Sequence, residues 1–132
     1  MKAPNDLPTL LRTMRPVLGD TEMGYGLIRN GQGIPDGVSP FATVAEAEGL
    51  TVIAPARVLA ECGIDHVAGW ARISLTVHSD LAAVGLTAAI AAALTAEAIS
   101  ANVVAGYFHD HVFVQWDRRH DAMAALARLS AT

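Results

Sequence analysis

Between Trp70 and Gln115 the spacing of apolar and polar positions changes period twice, and the rest of the chain can be fitted around that stretch. Residues 72–77 (RISLTV) alternate with the period of a half-buried strand. His78, Ser79 and Asp80 then break the run with polar and capping types. Residues 86–98 are dense in helix formers, with Leu86, Ile90 and Leu94 four apart on one stripe. Residues 102–105 open a second strand, 106–110 (GYFHD) carry turn chemistry, and 112–115 return as a third strand. The pattern predicts strand, loop, helix, strand, hairpin, strand.

The N-terminal half is read the same way. Asp6 can cap a short helix with an apolar stripe of Leu7, Leu10, Leu11 and Met14, stopped by Pro16. Residues 23–28 (MGYGLI) are strand-like, with Gly24 and Gly26 as weak points or bends. Residues 30–40 (NGQGIPDGVSP) form a loop. Pro35 and Pro40 and the lack of a Lys-Ser or Lys-Thr pair argue against a phosphate cradle there. Short strands at 41–44 and 50–54 flank a turn, and Pro55 opens a helix to Cys62 that Gly63 ends. Asp117 caps a last helix with Met123, Leu126 and Leu129 on its apolar side. The two halves echo each other loosely, as α-β-β-β-α and β-α-β-β-α. Neither is large enough to bury a stable core alone, so the boundary expected between residues 1–66 and 67–132 separates halves that share a core.

Composition narrows the partners. The 132 residues, 52% of them hydrophobic, support a real core, and a net charge of -4 with nine scattered Lys and Arg offers no basic field for nucleic acid. Residues 81–99 are long enough to span a bilayer. They are mostly Ala, however, with Thr87, Thr95 and Glu97, and suit a helix lying against a sheet. A membrane span is therefore not expected. No basic start leads into an apolar run, so no secretory signal is expected either. Cys62 is the one cysteine, which fits a reducing cytoplasm and reads as a small buried helix residue rather than a nucleophile.

From Leu75 onward the chain resembles the ACT domain, a ferredoxin-like βαββαβ regulatory module. The residues carrying the likeness are Leu75-Thr76-Val77, Asp80 with Gly85, the apolar helix from Leu86, and Ile99-Ser100-Ala101-Asn102-Val103-Val104. The phrases VHSDLAAVGLTAAIAAAL, NVVAGYFHDHVFV and FATVAEAEGLTVIAP are similar to a stand-alone tandem-ACT subgroup, itself similar to the regulatory ACT pairs of aspartate kinases. The likeness is strongest over residues 70–129. Two departures stand out. The chain ends after its last helix, so the fourth strand is absent or supplied by the other half, and the glycine falls five residues past Asp80 instead of close behind it.

The resemblance implies an α+β fold of two pseudo-repeated lobes sharing an antiparallel sheet. It also implies a non-catalytic regulatory role without a cofactor, and a small ligand, an amino acid, as partner. Its ligand loop, helix start and second strand fall on His78, Ser79, Asp80, Val84, Gly85, Leu86, Asn102 and Val103. The chemistry suits a zwitterion. Helix-start N–H groups favour a carboxylate, Asp80 can pair with an ammonium, Gly85 lets a ligand approach the backbone, and Asn102 can bond either group. The bland alternative makes Asp80 an N-cap, Gly85 a packing glycine and Asn102 a turn filler. An edge lacking its fourth strand implies a homodimer, and a ligand-independent dimerisation module is a second reading. A third is a metal enzyme using His78, His109 and His111, since His109-x-His111 would share one face of an extended segment. The turn chemistry of GYFHDH favours ordinary turn histidines instead.

Overall fold

Strand β5 (His66–Leu75) is the longest strand among the described residues and pairs with three others, β1, β2 and β7. The computed structural model describes residues 6–76, 81 and 83–131. These gather into two units, Thr21–Trp70 on one side and, on the other, the residues up to Asp20 together with those from Ala71 onward.

In the first unit β2 (Met23–Ile28), β3 (Ala42–Glu46), β4 (Gly49–Pro55) and the first half of β5 form the order β3-β4-β2-β5, with antiparallel pairing throughout. Helix α2 (Ala56–Glu61) covers one face. This is the strand order of a ferredoxin-like lobe, with β2 and β4 in the middle. Between β2 and β3 there is a loop where such a lobe has its first helix. It is held by Gln32 N–H to the Arg29 carbonyl (3.0 Å), Val38 N–H to the Pro35 carbonyl (3.0 Å), and Asn30 Nδ2 to the Ala47 carbonyl (3.0 Å). Gly24 and Gly26 are there because α2 lies close. A Cβ at Gly26 would meet Leu59 Cδ2 at 3.0 Å and Ile64 Cγ2 at 3.1 Å. Ile28, Val38, Val52, Ala54 and Leu59 make the core beneath.

The second unit is assembled from both ends of the chain. Helix α1 (Leu7–Thr13) is capped by Asp6, whose Oδ2 accepts the Thr9 N–H at 2.9 Å. Strand β1 (Pro16–Leu18) follows and pairs antiparallel with the end of β5, Val17 opposite Ser74. Helix α3 (Leu86–Ala96), β6 (Asn102–Ala105), β7 (Asp110–Gln115), a 3₁₀ turn (Trp116–Arg118) and α4 (Arg119–Ser130) complete it. The order β1-β5-β7-β6 is again that of a ferredoxin-like lobe. Thus β1 supplies the fourth strand that sequence alone leaves open. It was not predicted because the three residues Pro16–Leu18 are too few to carry a readable alternation. Leu86, Ile90 and Leu94 form the buried stripe of α3, as the spacing predicts, and pack with Leu10, Ile73, Val112 and Leu126 in one core.

The spatial division places residues 67–70 with the first unit and the segment up to Asp20 with the second, where the expected boundary fell at residue 66. Leu10 and Met14 are buried in the second core, and Ser130 Oγ donates to the Leu11 carbonyl at 2.8 Å, so the N-terminal segment belongs with the C-terminal lobe. Two local expectations are corrected. Cys62 is the exposed C-terminal cap of α2, because the helix stops one residue earlier than the sequence suggests. Asp117 sits inside the 3₁₀ turn, and Arg118 precedes α4.

Candidate functional site

The turn from β5 to α3 is fixed at both of its described ends. At the strand end Thr76 donates twice to the Arg15 carbonyl, from N–H (3.3 Å) and from Oγ1 (2.9 Å). At the helix end Gly85 is the N-cap residue with φ 103°, a conformation that penalises any side chain. A Cβ there would also stand 3.1 Å from Leu7 Cδ2. Glycine is therefore demanded twice over, by backbone geometry and by the approach of α1. Among the described residues no side chain caps α3, whose first N–H groups have no partner within the helix.

The eight site residues expected from sequence fare differently. His78, Ser79 and Asp80 lie outside the described residues. Val84 is 84% exposed beside Gly85. Leu86 is buried in the core, and only its backbone is available at the helix start. Asn102 stands elsewhere. The 11 residues of α3 rise about 16 Å. At the far end Ile99 N–H bonds the Leu94 carbonyl, and β6 then begins with Asn102 opposite Phe113. Asn102 is exposed at the other end of α3 from Gly85, and Val103 packs against the core. The structure brings Val84, Gly85 and Leu86 together and leaves Asn102 and Val103 apart from them.

Of the three histidines, His109 falls in the turn between β6 and β7, His111 lies in β7, and His78 is outside the described residues. Gly106 N–H donates to the His109 carbonyl at 2.9 Å, while Tyr107 and Phe108 pack edge to face with ring centres 4.9 Å apart at the tip. His111 Nδ1 is 2.8 Å from Ser74 Oγ on the neighbouring strand. Burial, with Arg72 and His109 adding like charge, holds the His111 imidazole below its ordinary pKa, whereas burial raises the Asp110 carboxyl. Among the described residues no three His, Cys, Asp or Glu side chains converge in a metal-binding group.

Sequence reasoning missed a second feature. The first lobe has a cavity of about 410 Å³ between the loop after β2 and the connection from α2 to β5. Arg29 and Asp65 stand at its rim as an ion pair of 2.6 Å, and Cys62, Gly63 and Ile64 line it. The signal available was the missing amphipathic helix between two strands, where residues 30–40 gave only turn chemistry.

Two lobes with this strand order define a tandem of ferredoxin-like modules. Family models for the ACT domain match residues 3–68 and residues 66–128. The chain belongs to the ACT domain family and carries two repeats in tandem. A Vibrio cholerae protein of unknown function, described as a possible transport protein, is 38% identical, with 94% of this chain and 95% of that chain covered and a TM-score of 0.82. The ligand-free regulatory subunit of aspartate kinase from Thermus thermophilus is 15% identical, with coverage of 90% and 97% and a TM-score of 0.64. A protein from Agrobacterium tumefaciens is 13% identical, with 89% of each chain covered and a TM-score of 0.76. The last two likenesses are of fold alone. No curated protein matches the sequence. Among the described residues no helix is long and apolar enough to cross a membrane.

Proposed function

We propose that the protein is a non-catalytic regulatory module that binds an amino acid at the turn between β5 and α3. The observation that carries this reading is the start of α3, which no side chain among the described residues caps. There Gly85 at φ 103° carries no side chain, and Val84 beside it is exposed. Helix-start N–H groups stabilise a carboxylate, and the tandem ACT repeats support a ligand-binding role for this loop. Asp80 is the residue proposed to receive the ammonium group, with His78 and Ser79 beside it. Thermal-shift screening of the common amino acids tests the proposal. Saturation by a true ligand at a hundred times its Kd raises stability by about 2.7 kcal/mol, so no shift at millimolar concentrations overturns it.

The protein is further proposed to act as a homodimer in the cytoplasm. The edge first expected to drive dimerisation is filled by β1. The outer strand β3 remains, exposed from Thr43 to Glu46 with Val44 half in solvent. An unpaired edge of this kind favours a second copy, and the free, exposed thiol of Cys62 suits a reducing compartment. A strictly monomeric species in sedimentation removes the dimer without touching the ligand proposal.

A further inference from the structure

We infer that the open face of the first lobe's sheet carries a second, separate binding site, one that takes an organic amine with an apolar body. The site lies on strands and not on a loop, so it is independent of the function proposed for the turn before α3.

A ferredoxin-like sheet covers one face with helices and leaves the other open. The two lobes of this chain furnish that open face differently. In the second lobe Ala71, Ile73 and Leu75 point into the core, so the alternate residues Arg72 and Ser74 point out, with His111 bonded to Ser74 beside them. These polar groups suit contact with water. In the first lobe Ile28, Val52 and Ala54 point into the core, and Leu27 and Thr51 stand opposite each other on the open face. The register adds Val44 opposite Thr51 and Val67 opposite Tyr25 on the same face. Val44 is 50% exposed and Val67 64%. Tyr25, Leu27, Thr51 and Val67 wall a groove of about 400 Å³, a volume within the range of small-ligand sites. The Tyr25 ring is held there by Trp70, edge to face with ring centres 5.7 Å apart. The apolar wall is therefore built before any ligand arrives.

Charge narrows the ligand. Residues 21–70 contain two Arg and six Asp or Glu, so this lobe carries the whole net charge of -4 and the rest of the chain is neutral. One of these carboxylates is fixed at the groove, where Thr51 Oγ1 donates to Glu46 Oε1 at 2.6 Å. Glu46 has no cationic partner among the described residues, whereas Asp65 is already paired with Arg29. An anion in the groove would meet an unbalanced carboxylate. A free amino acid would bring its own carboxylate against Glu46, which sets this site apart from the one before α3. An ammonium group bonds Glu46 through its remaining lone pairs, while the attached chain or ring covers Leu27, Tyr25 and Val67. The aromatic wall adds its own attraction for a cation.

The full-length protein, labelled with nitrogen-15, is titrated with 4-phenylbutylamine, 4-phenylbutan-1-ol and 4-phenylbutanoate, which share one apolar body and differ in charge. The backbone amide resonances of Tyr25, Leu27, Thr51 and Val67 move saturably with the amine. The alcohol moves the same set with about threefold to tenfold weaker affinity, and the anion moves none of them. Glu46→Gln, at an exposed position, keeps an acceptor for Thr51 and brings the amine down to the affinity of the alcohol. Val67→Ser, also exposed, weakens amine and alcohol alike. The amide spectrum of each variant reports that it is folded. The inference is overturned if these four amides do not respond, if amine and anion bind alike, or if the amine keeps its advantage in Glu46→Gln. None of these results touches the thermal-shift screen of amino acids, which tests the turn before α3 by itself.

Discussion

Helices α2 and α3 end in the same hydrogen-bonded cap, and one residue distinguishes them. In α2 the N–H of Gly63 bonds the Ala60 carbonyl and that of Ile64 bonds the Leu59 carbonyl, with Gly63 at φ 68°. In α3 the N–H of Ala98 bonds the Thr95 carbonyl and that of Ile99 bonds the Leu94 carbonyl, with Ala98 at φ 58°. Both are Schellman caps, in which the residue after the cap takes a left-handed conformation that glycine adopts freely. An alanine there costs roughly 1–2 kcal/mol. Ala98→Gly relieves that strain but frees the unfolded chain, which returns about 0.4–1 kcal/mol. Ala98 is exposed, so little packing is lost. The net expectation is a gain of about 0.5–1 kcal/mol. With an unfolding entropy of about 2.1 cal/mol/K per residue over 132 residues, that is a rise of about 2–4 °C in Tm. Gly63→Ala is the reciprocal change, at a position with open space around it, and should lower stability by a similar amount. Calorimetry and urea titration of both variants measure the pair. A lower Tm for Ala98→Gly, or no loss in Gly63→Ala, refutes the argument.

Other expectations follow from the same geometry. Gly26→Ala drives a methyl group into Leu59 and Ile64 and should cost about 1–3 kcal/mol by urea denaturation. Gly85→Ala combines a left-handed backbone with the Leu7 contact, so it should destabilise more than Gly63→Ala and blunt any amino-acid thermal shift. The lowered pKa of His111 means that the folded state binds fewer protons there than the unfolded chain. Its contribution is therefore present above the ordinary histidine value of 6.5 and is lost as pH falls below it toward the lower folded value, and His111→Gln should flatten that slope in urea midpoints. Asp110 acts in the opposite sense at lower pH, because its raised pKa lets the fold take up a proton first as the solution is acidified above 3.8.

Much of the second lobe was legible because its elements are long and periodic. Leu86, Ile90 and Leu94 repeat at helical spacing and are the residues buried. The GYFHDH segment reads as a hairpin because Gly and Asp punctuate two β-branched runs. What escaped was non-local. Strand β1 is three residues long, and it is defined by the hydrogen bonds β5 offers it, not by any periodicity of its own. The separation of Asn102 from Gly85 was not read either, since Gly85 precedes α3 and Asn102 opens β6 after it, and the rise of α3 puts them at opposite ends. The cavity beside Arg29 depends on a helix being absent, and Asp65 reaches Arg29 across 36 positions of sequence.

The supply of β1 from the start of the chain has an architectural consequence. The second lobe is a ferredoxin-like unit whose last strand has been moved to the front, so its repeat is circularly permuted relative to the first. Its closure joins segments far apart in sequence, where Ser130 Oγ donates to the Leu11 carbonyl. A gene cut at residue 66 would thus encode two incomplete pieces, one carrying the strand its neighbour lacks.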